Sequence, residues 1–178
     1  MTQTGWIALT LVFAAASLVL LGGPIWQEHA RYEMLEPVYA EGGSGNLAGV
    51  GVQISGQSAL IMRDVPDRQV IHLQVTLSPG PAAPASWEGC ELALTDGERR
   101  WLPVMGSRGA QILEFMGFSR TLVCAQSLLR PDGRGISVSD QVFILPAEAG
   151  PDLRVEISGS ATHPAGLSMP VNPVPRLQ

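Results

Sequence analysis

Three histidines, two cysteines and six methionines are the side chains of this 178-residue chain best suited to chemistry, and their spacing decides what they can do. His29, His72 and His163 stand far apart, and none has a Cys, His, Asp or Glu at the intervals a zinc or copper site uses. Met62, Met105 and Met116 offer soft thioethers without a Met-x-x-Met or His-Met cluster, so packing is their expected role. Ser107, in Gly106-Ser107-Arg108-Gly109, reads as a loop residue, and no Gly-x-Ser-x-Gly elbow surrounds it. Asp64 and Asp67 flank Pro66 in a predicted loop without the further oxygens calcium requires. His72 alternates with apolar positions and is expected at the surface rather than as a general base. Gly43, Gly45 and Gly49 have the wrong spacing for a dinucleotide loop, with no predicted strand before them and no helix after. Catalytic residues, cofactor and metal are therefore all predicted to be absent, and the chain reads as a non-enzyme.

Charge narrows the partners. All 11 basic residues are Arg, the net charge is −5 and the isoelectric point is near 5.1, so nothing points to a phosphate backbone or to nucleic acid. Arg99-Arg100 beside Trp101 follows a predicted turn and reads as a solvated hairpin flank, with docking of a partner or lipid headgroups as its functional alternative.

Cys90 and Cys124 each fall in a predicted strand, and alternation places both on the inward face with Leu92, Leu94 and Leu122. A bridge between them would close a 35-residue loop, worth about 3–4 kcal/mol in the chain-entropy model. Two unrelated buried thiols are the alternative. A bridge would place the domain in an oxidising compartment, outside the cytoplasmic membrane.

The elements that would hold these residues are mainly strands. Ile71, Leu73, Val75 and Leu77 alternate with Val70, His72, Gln74 and Thr76, and Leu153, Val155 and Ile157 with Arg154, Glu156 and Ser158. Residues 90–95, 119–126 and 140–145 are short and rich in β-formers, and 47–54 and 58–63 carry a fainter version of the pattern. Asp96-Gly97, Pro131-Asp132-Gly133 and Pro79-Gly80-Pro81 supply turns. Seven or so short strands over residues 47–160 predict an antiparallel β-sandwich or barrel. After residue 36 helical periodicity is weak, with at most a short turn over 113–118. The Gly-rich residues 37–46 are expected to be a flexible linker. Residues 161–178, with Pro164, Pro170, Pro173 and Pro175, are expected as a Pro-rich tail in polyproline-like coil.

Residues 5–26 contain no charge. As a helix they would reach about 33 Å, enough for a hydrocarbon core of about 30 Å. Trp6 and Trp26 would then lie at the two interfaces as anchors. The four residues Met1–Thr4 carry no basic side chain and the apolar run exceeds that of a signal peptide, so a retained single-pass transmembrane helix is favoured over a cleaved signal or a soluble helix. Residues 1–36 are read as this anchor with a juxtamembrane helix over 27–35, which Pro37 ends. Arg31, the single flanking cation, favours a cytoplasmic C-terminal part, whereas a bridged cysteine pair favours the periplasm and outweighs it.

"CELALTDGERRW" (90–101) and "DQVFILPAEAGPDLRVEI" (140–157) resemble membrane-anchored extracytoplasmic immunoglobulin-like domains of bacteria, in which one strand reads L-x-D-x-x-G-x-x-W and a late one ends F-x-x-P. The resemblance covers roughly residues 87–158. It departs from antibody-type domains in the short cysteine separation and in Leu122 where a corner tyrosine would stand, while Trp101 is acceptable as a core Trp. It implies an immunoglobulin-like sandwich with no catalytic residues. The expected protein is an inner-membrane, single-pass accessory or protein-interaction module facing the periplasm, partnered by the bilayer and by a membrane or periplasmic protein. An extracytoplasmic ligand-binding or sensing module is the alternative.

Overall fold

The computed structural model describes residues 12–17, 19–20, 23, 35–61, 65–80, 87, 90–118, 137–149, 152–159 and 162–176. The chain divides into two units, Met1–Leu35 and Glu36–Gln178. In the first, residues 12–17 and 19–20 are helical. Among the described residues no helix is long and apolar enough to cross a membrane, so the transmembrane helix expected over 5–26 is not supported. Trp6 and Trp26 lie outside the described residues, as do 27–34 of the expected juxtamembrane helix.

The second unit is mainly β. Its strands are β1 (Glu36–Tyr39), β2 (Ser44–Leu47), β3 (Val50–Ile61), β4 (Arg68–Pro79), β5 (Glu91–Thr95), β6 (Arg100–Trp101), β7 (Ser137–Pro146), β8 (Arg154–Ser158), β9 (Ala165–Pro170) and β10 (Val174–Arg176), with one helix, α1 (Gly106–Phe115), between β6 and β7. One sheet runs β1-β9-β8-β5-β6 and the other β10-β3-β4-β7, with β2 also on β3. β2 pairs with residues 50–53 of β3 and β10 with residues 58–60, so both occupy the edge of β3 away from β4. A register shift between Ile54 and Gly56 separates them.

Period-two alternation drives the two sheets together. The odd positions of β4 and β7 (Ile71, Leu73, Val75, Leu77, Phe143, Leu145) meet Leu92, Leu94, Val155, Ile157, Leu167 and Met169 in one buried core. Trp87, only 2% exposed, completes it ahead of β5. Trp101, the tryptophan expected in the core, is half-buried against the same cluster.

The other face of β4 and β7 is not left to water. Val70, Val142 and Leu60 form a second cluster with Leu113 and Met116, brought there by α1. Gly109 lets the first turn of α1 close against the segment that leads into it, because a Cβ there would collide with the carbonyl oxygen of Val104. The expectation of no helix beyond a short turn is thus corrected: Leu113, Met116 and Gly109 recur at helical intervals, and the loop reading of 106–109 becomes the first turn of α1.

Two further expectations are overturned. Residues 37–46 are no flexible linker, since β1 pairs in parallel with β9 from Glu36 to Tyr39 and β2 pairs with β3. Nor is the C-terminal stretch free coil. Leu167, Met169 and Val171 are buried in the core, and β10 lies parallel to β3. Pro37 and Pro175 are tolerated because β1 and β10 are edge strands.

Candidate functional site

The register of the second sheet sets out the site in rows. Leu60, Val70 and Ile144 stand side by side, then Ser58, His72 and Val142, then Gly56, Gln74 and Asp140. α1 lies across the first two rows with Leu113 and Met116 buried against them. Its flanking residues Arg108, Gln111, Ile112 and Phe115, at i, i+3, i+4 and i+7, share one stripe. Between that stripe and the first row opens a groove of about 700 Å³. Leu60, Val65, Val70, Ile112, Phe115 and Ile144 make it apolar, while Asp67, Arg68, Arg108 and Gln111 supply the polar lining.

The two arginines of that lining stand apart from their neighbours elsewhere. Arg99 pairs with Asp96 at 2.7 Å, and Arg100 pairs with Glu156 at 3.3 Å. Arg154 donates to Ser168 Oγ at 2.8 Å and to the Ser168 carbonyl at 2.8 Å, and lies over the Tyr39 ring. Arg68 and Arg108 are exposed, and no ion pair among the described residues engages either of them.

Two rows along, the layer under α1 turns polar. His72 Nε2 lies 2.8 Å from Asp140 Oδ1, and the same oxygen accepts from Gln74 Nε2 at 3.1 Å. A carboxylate only accepts, so the imidazole donates from Nε2. Ser55 Oγ continues the chain, 3.1 Å from Gln74 Oε1 and 3.0 Å from Thr76 Oγ1. Phe118 stacks on the imidazole at 3.7 Å between ring centroids. His72 is therefore not the surface residue that alternation suggested; at 2% exposure it is buried. Alternation placed it correctly away from the sandwich core, but α1 and Phe118 cover that face too.

A second histidine cluster lies at the end of β8. His163 Nε2 is 3.4 Å from Ser158 Oγ and 3.7 Å from Glu91 Oε2. Both contacts fall on one ring nitrogen, whereas an orienting carboxylate must hold the opposite nitrogen from the nucleophile. Ser158 is moreover buried. This cluster does not have the geometry of nucleophilic catalysis.

The remaining candidates are dispersed. Cys90 sits just before β5, half-buried against the core, and is not a free thiol; Cys124, its expected partner, lies outside the described residues, as do His29, Met62 and Asp64. Met105 is exposed and Met116 buried beneath α1. Ser107, in the first turn of α1, is exposed. Arg99, exposed in the turn as a hairpin flank, pairs with Asp96 and lies 5.2 Å from the Trp101 ring, while Arg100, in β6, is half-buried and pairs with Glu156. Asp96 anchors this turn: its carboxylate accepts from the Arg99 backbone N–H, which, followed by the Arg99 guanidinium and the Glu98 N–H, holds its pKa near 2 against an ordinary 3.8, while desolvation opposes them. Among the described residues no three His, Cys, Asp or Glu side chains converge on a metal position.

Sequence reading did not single out the groove. Its signal was nevertheless present: Val142-Phe143-Ile144-Leu145 is apolar at every position, the mark of a strand covered on both faces.

No family model matches the chain, and no curated protein matches it. Two solved structures are similar to it. One is a presumed lipoprotein, ycdA, of Bacillus subtilis, with a TM-score of 0.43 and 10% identity over 75% of this chain. This chain spans 39% of the length of that protein. The other is a presumed lipoprotein of Staphylococcus aureus, with a TM-score of 0.43 and 5% identity, over 77% of this chain and 96% of that one.

Proposed function

We propose that this protein is a membrane-associated, extracytoplasmic binding module of immunoglobulin-like architecture, without catalytic activity, whose ligand lies between α1 and the second sheet. The observation that carries this reading is the groove of about 700 Å³, which falls within the roughly 300–1,000 Å³ typical of small-molecule sites and has their mix of apolar walls and few polar groups. The architecture is supported by strand order. β4 and β7 lie in one sheet and β5, β8 and β9 in the other, with the chain changing sheets after β4 and after β7, as in an immunoglobulin sandwich. α1 occupies the chain position of a further strand. Membrane association is supported by the uncharged, apolar composition of residues 5–26, and a location outside the cytoplasm by a proposed Cys90–Cys124 bridge.

Binding is tested with an uncharged apolar probe. Octanol should show saturation transfer in ligand-observed NMR with the full-length chain, and Phe115→Asp, at an exposed groove position, should suppress it. Absence of transfer with the wild-type chain would reject the reading. Location is tested by thiol labelling of intact cells: both cysteines should react only after reduction, without opening the cytoplasm.

A protein-partner role is the second reading. Leu102, Met105 and Phe115, on and just before α1, are each 60% exposed or more. Recovery of a stable membrane complex by crosslinking from Met105, lost in Leu102→Asp, would favour it.

A further inference from the structure

We propose that the groove takes a single-chain anionic amphiphile, its acyl or aryl chain along Leu60, Val70, Ile112 and Ile144 and its anionic head held by Arg68 and Arg108. This rests on the binding reading above and adds the charge and shape of the ligand.

The residues argue it from two directions. The walls offer no hydrogen-bonding side chain along the row Leu60-Val70-Ile144 or at Ile112, so whatever lies there is apolar. Among the described residues the charges at the rim are two guanidiniums against one carboxylate, Asp67. A guanidinium with no ion-pair partner among the described residues, at the mouth of an apolar groove, presents a planar fork of donors suited to carboxylate, sulfate or phosphate oxygens. Arg99, Arg100 and Arg154 show the contrast, since each already has a partner within the fold. Arg68 and Arg108 come from different elements, the start of β4 and the first turn of α1, and meet at this one groove. The volume suits one chain, which favours a free single-chain amphiphile over a two-chain bilayer lipid.

Octanoate, octanol and octyltrimethylammonium share a chain and differ in the head. Their binding to the full-length chain in phosphatidylcholine nanodiscs is compared, with protein-free discs as blank. Octanoate should bind about fivefold or more tighter than octanol, and the cation weakest. Arg68→Gln and Arg108→Gln should each lower octanoate affinity by about threefold, more than they lower that of octanol, and Arg108→Lys should recover part of the loss. Equal binding of octanoate and octanol, or a preference untouched by both Gln variants, overturns the proposal while leaving the groove a binding site. Failure of all three probes removes the groove reading itself. Displacement of octanoate by phosphatidylglycerol placed in the discs would identify a bilayer lipid as the occupant and overturn the single-chain assignment.

Discussion

His72 Nε2 and Asp140 Oδ1 lie 2.8 Å apart, a buried polar pair on the face of the second sheet where Val70, Leu60 and Val142 pack against Leu113 and Met116. Such a pair contributes little when whole and costs a good deal when halved, because the survivor is left desolvated. Asp140→Ala should destabilise the second unit by about 3 kcal/mol, read as a lowered urea midpoint. The double variant His72→Leu, Asp140→Leu should recover much of that loss; if the double variant is as unstable as the sum of the single ones, the two residues are not coupled.

Gly109 faces the Val104 carbonyl oxygen in the segment that leads into α1. On an exposed helix Gly→Ala stabilises by about 1 kcal/mol. Here the added methyl meets the Val104 carbonyl oxygen, so Gly109→Ala should instead destabilise by about 1–3 kcal/mol. The sign of the change in denaturation midpoint decides between the two.

Ending the chain after residue 160 should prevent folding. Leu167, Met169 and Val171 would be lost from the core, at about 1.5–3 kcal/mol each. Their sum is comparable with the whole stability of an ordinary domain, about 5–15 kcal/mol. Retention of a cooperative thermal transition in this truncation would contradict the placement of β9.

The turn at Asp96 carries a pH signature. Its carboxyl pKa is depressed to about 2, below the ordinary 3.8 of an aspartate. Its contribution is therefore fully present above about pH 4 and disappears as pH falls from there toward 2. NMR titration of the Asp96 carboxyl should give a midpoint near 2, and Asp96→Asn should abolish the corresponding pH dependence of the β5–β6 turn.

Arg154 ties three strands together, reaching the Ala40 carbonyl after β1 at 3.3 Å and Ser168 of β9 from β8. Arg154→Met should leave the fold intact and lower hydrogen-exchange protection of the Ala40 amide, which bonds the Ser168 carbonyl at 2.9 Å. Unchanged protection would mean that backbone pairing alone holds β1.

Much of this protein could be read along the chain, because side-chain alternation is a local property. Ile71, Leu73, Val75 and Leu77 declare a strand and its buried face, and Leu92, Leu94, Val155 and Ile157 do the same, so the mainly β class and most of the core shared by the two sheets follow from spacing alone. Asp96-Gly97 marked its turn for the same reason. What covers the opposite face is not local. Whether His72 meets water or α1, whether Gly42-Gly43-Ser44 floats or leads into β2, and whether a Pro-rich tail adds strands all depend on edges and surfaces contributed by distant residues. The groove is the clearest case: Arg68 and Arg108 stand 40 positions apart in sequence, and only the packing of α1 across β3, β4 and β7 brings them to one rim.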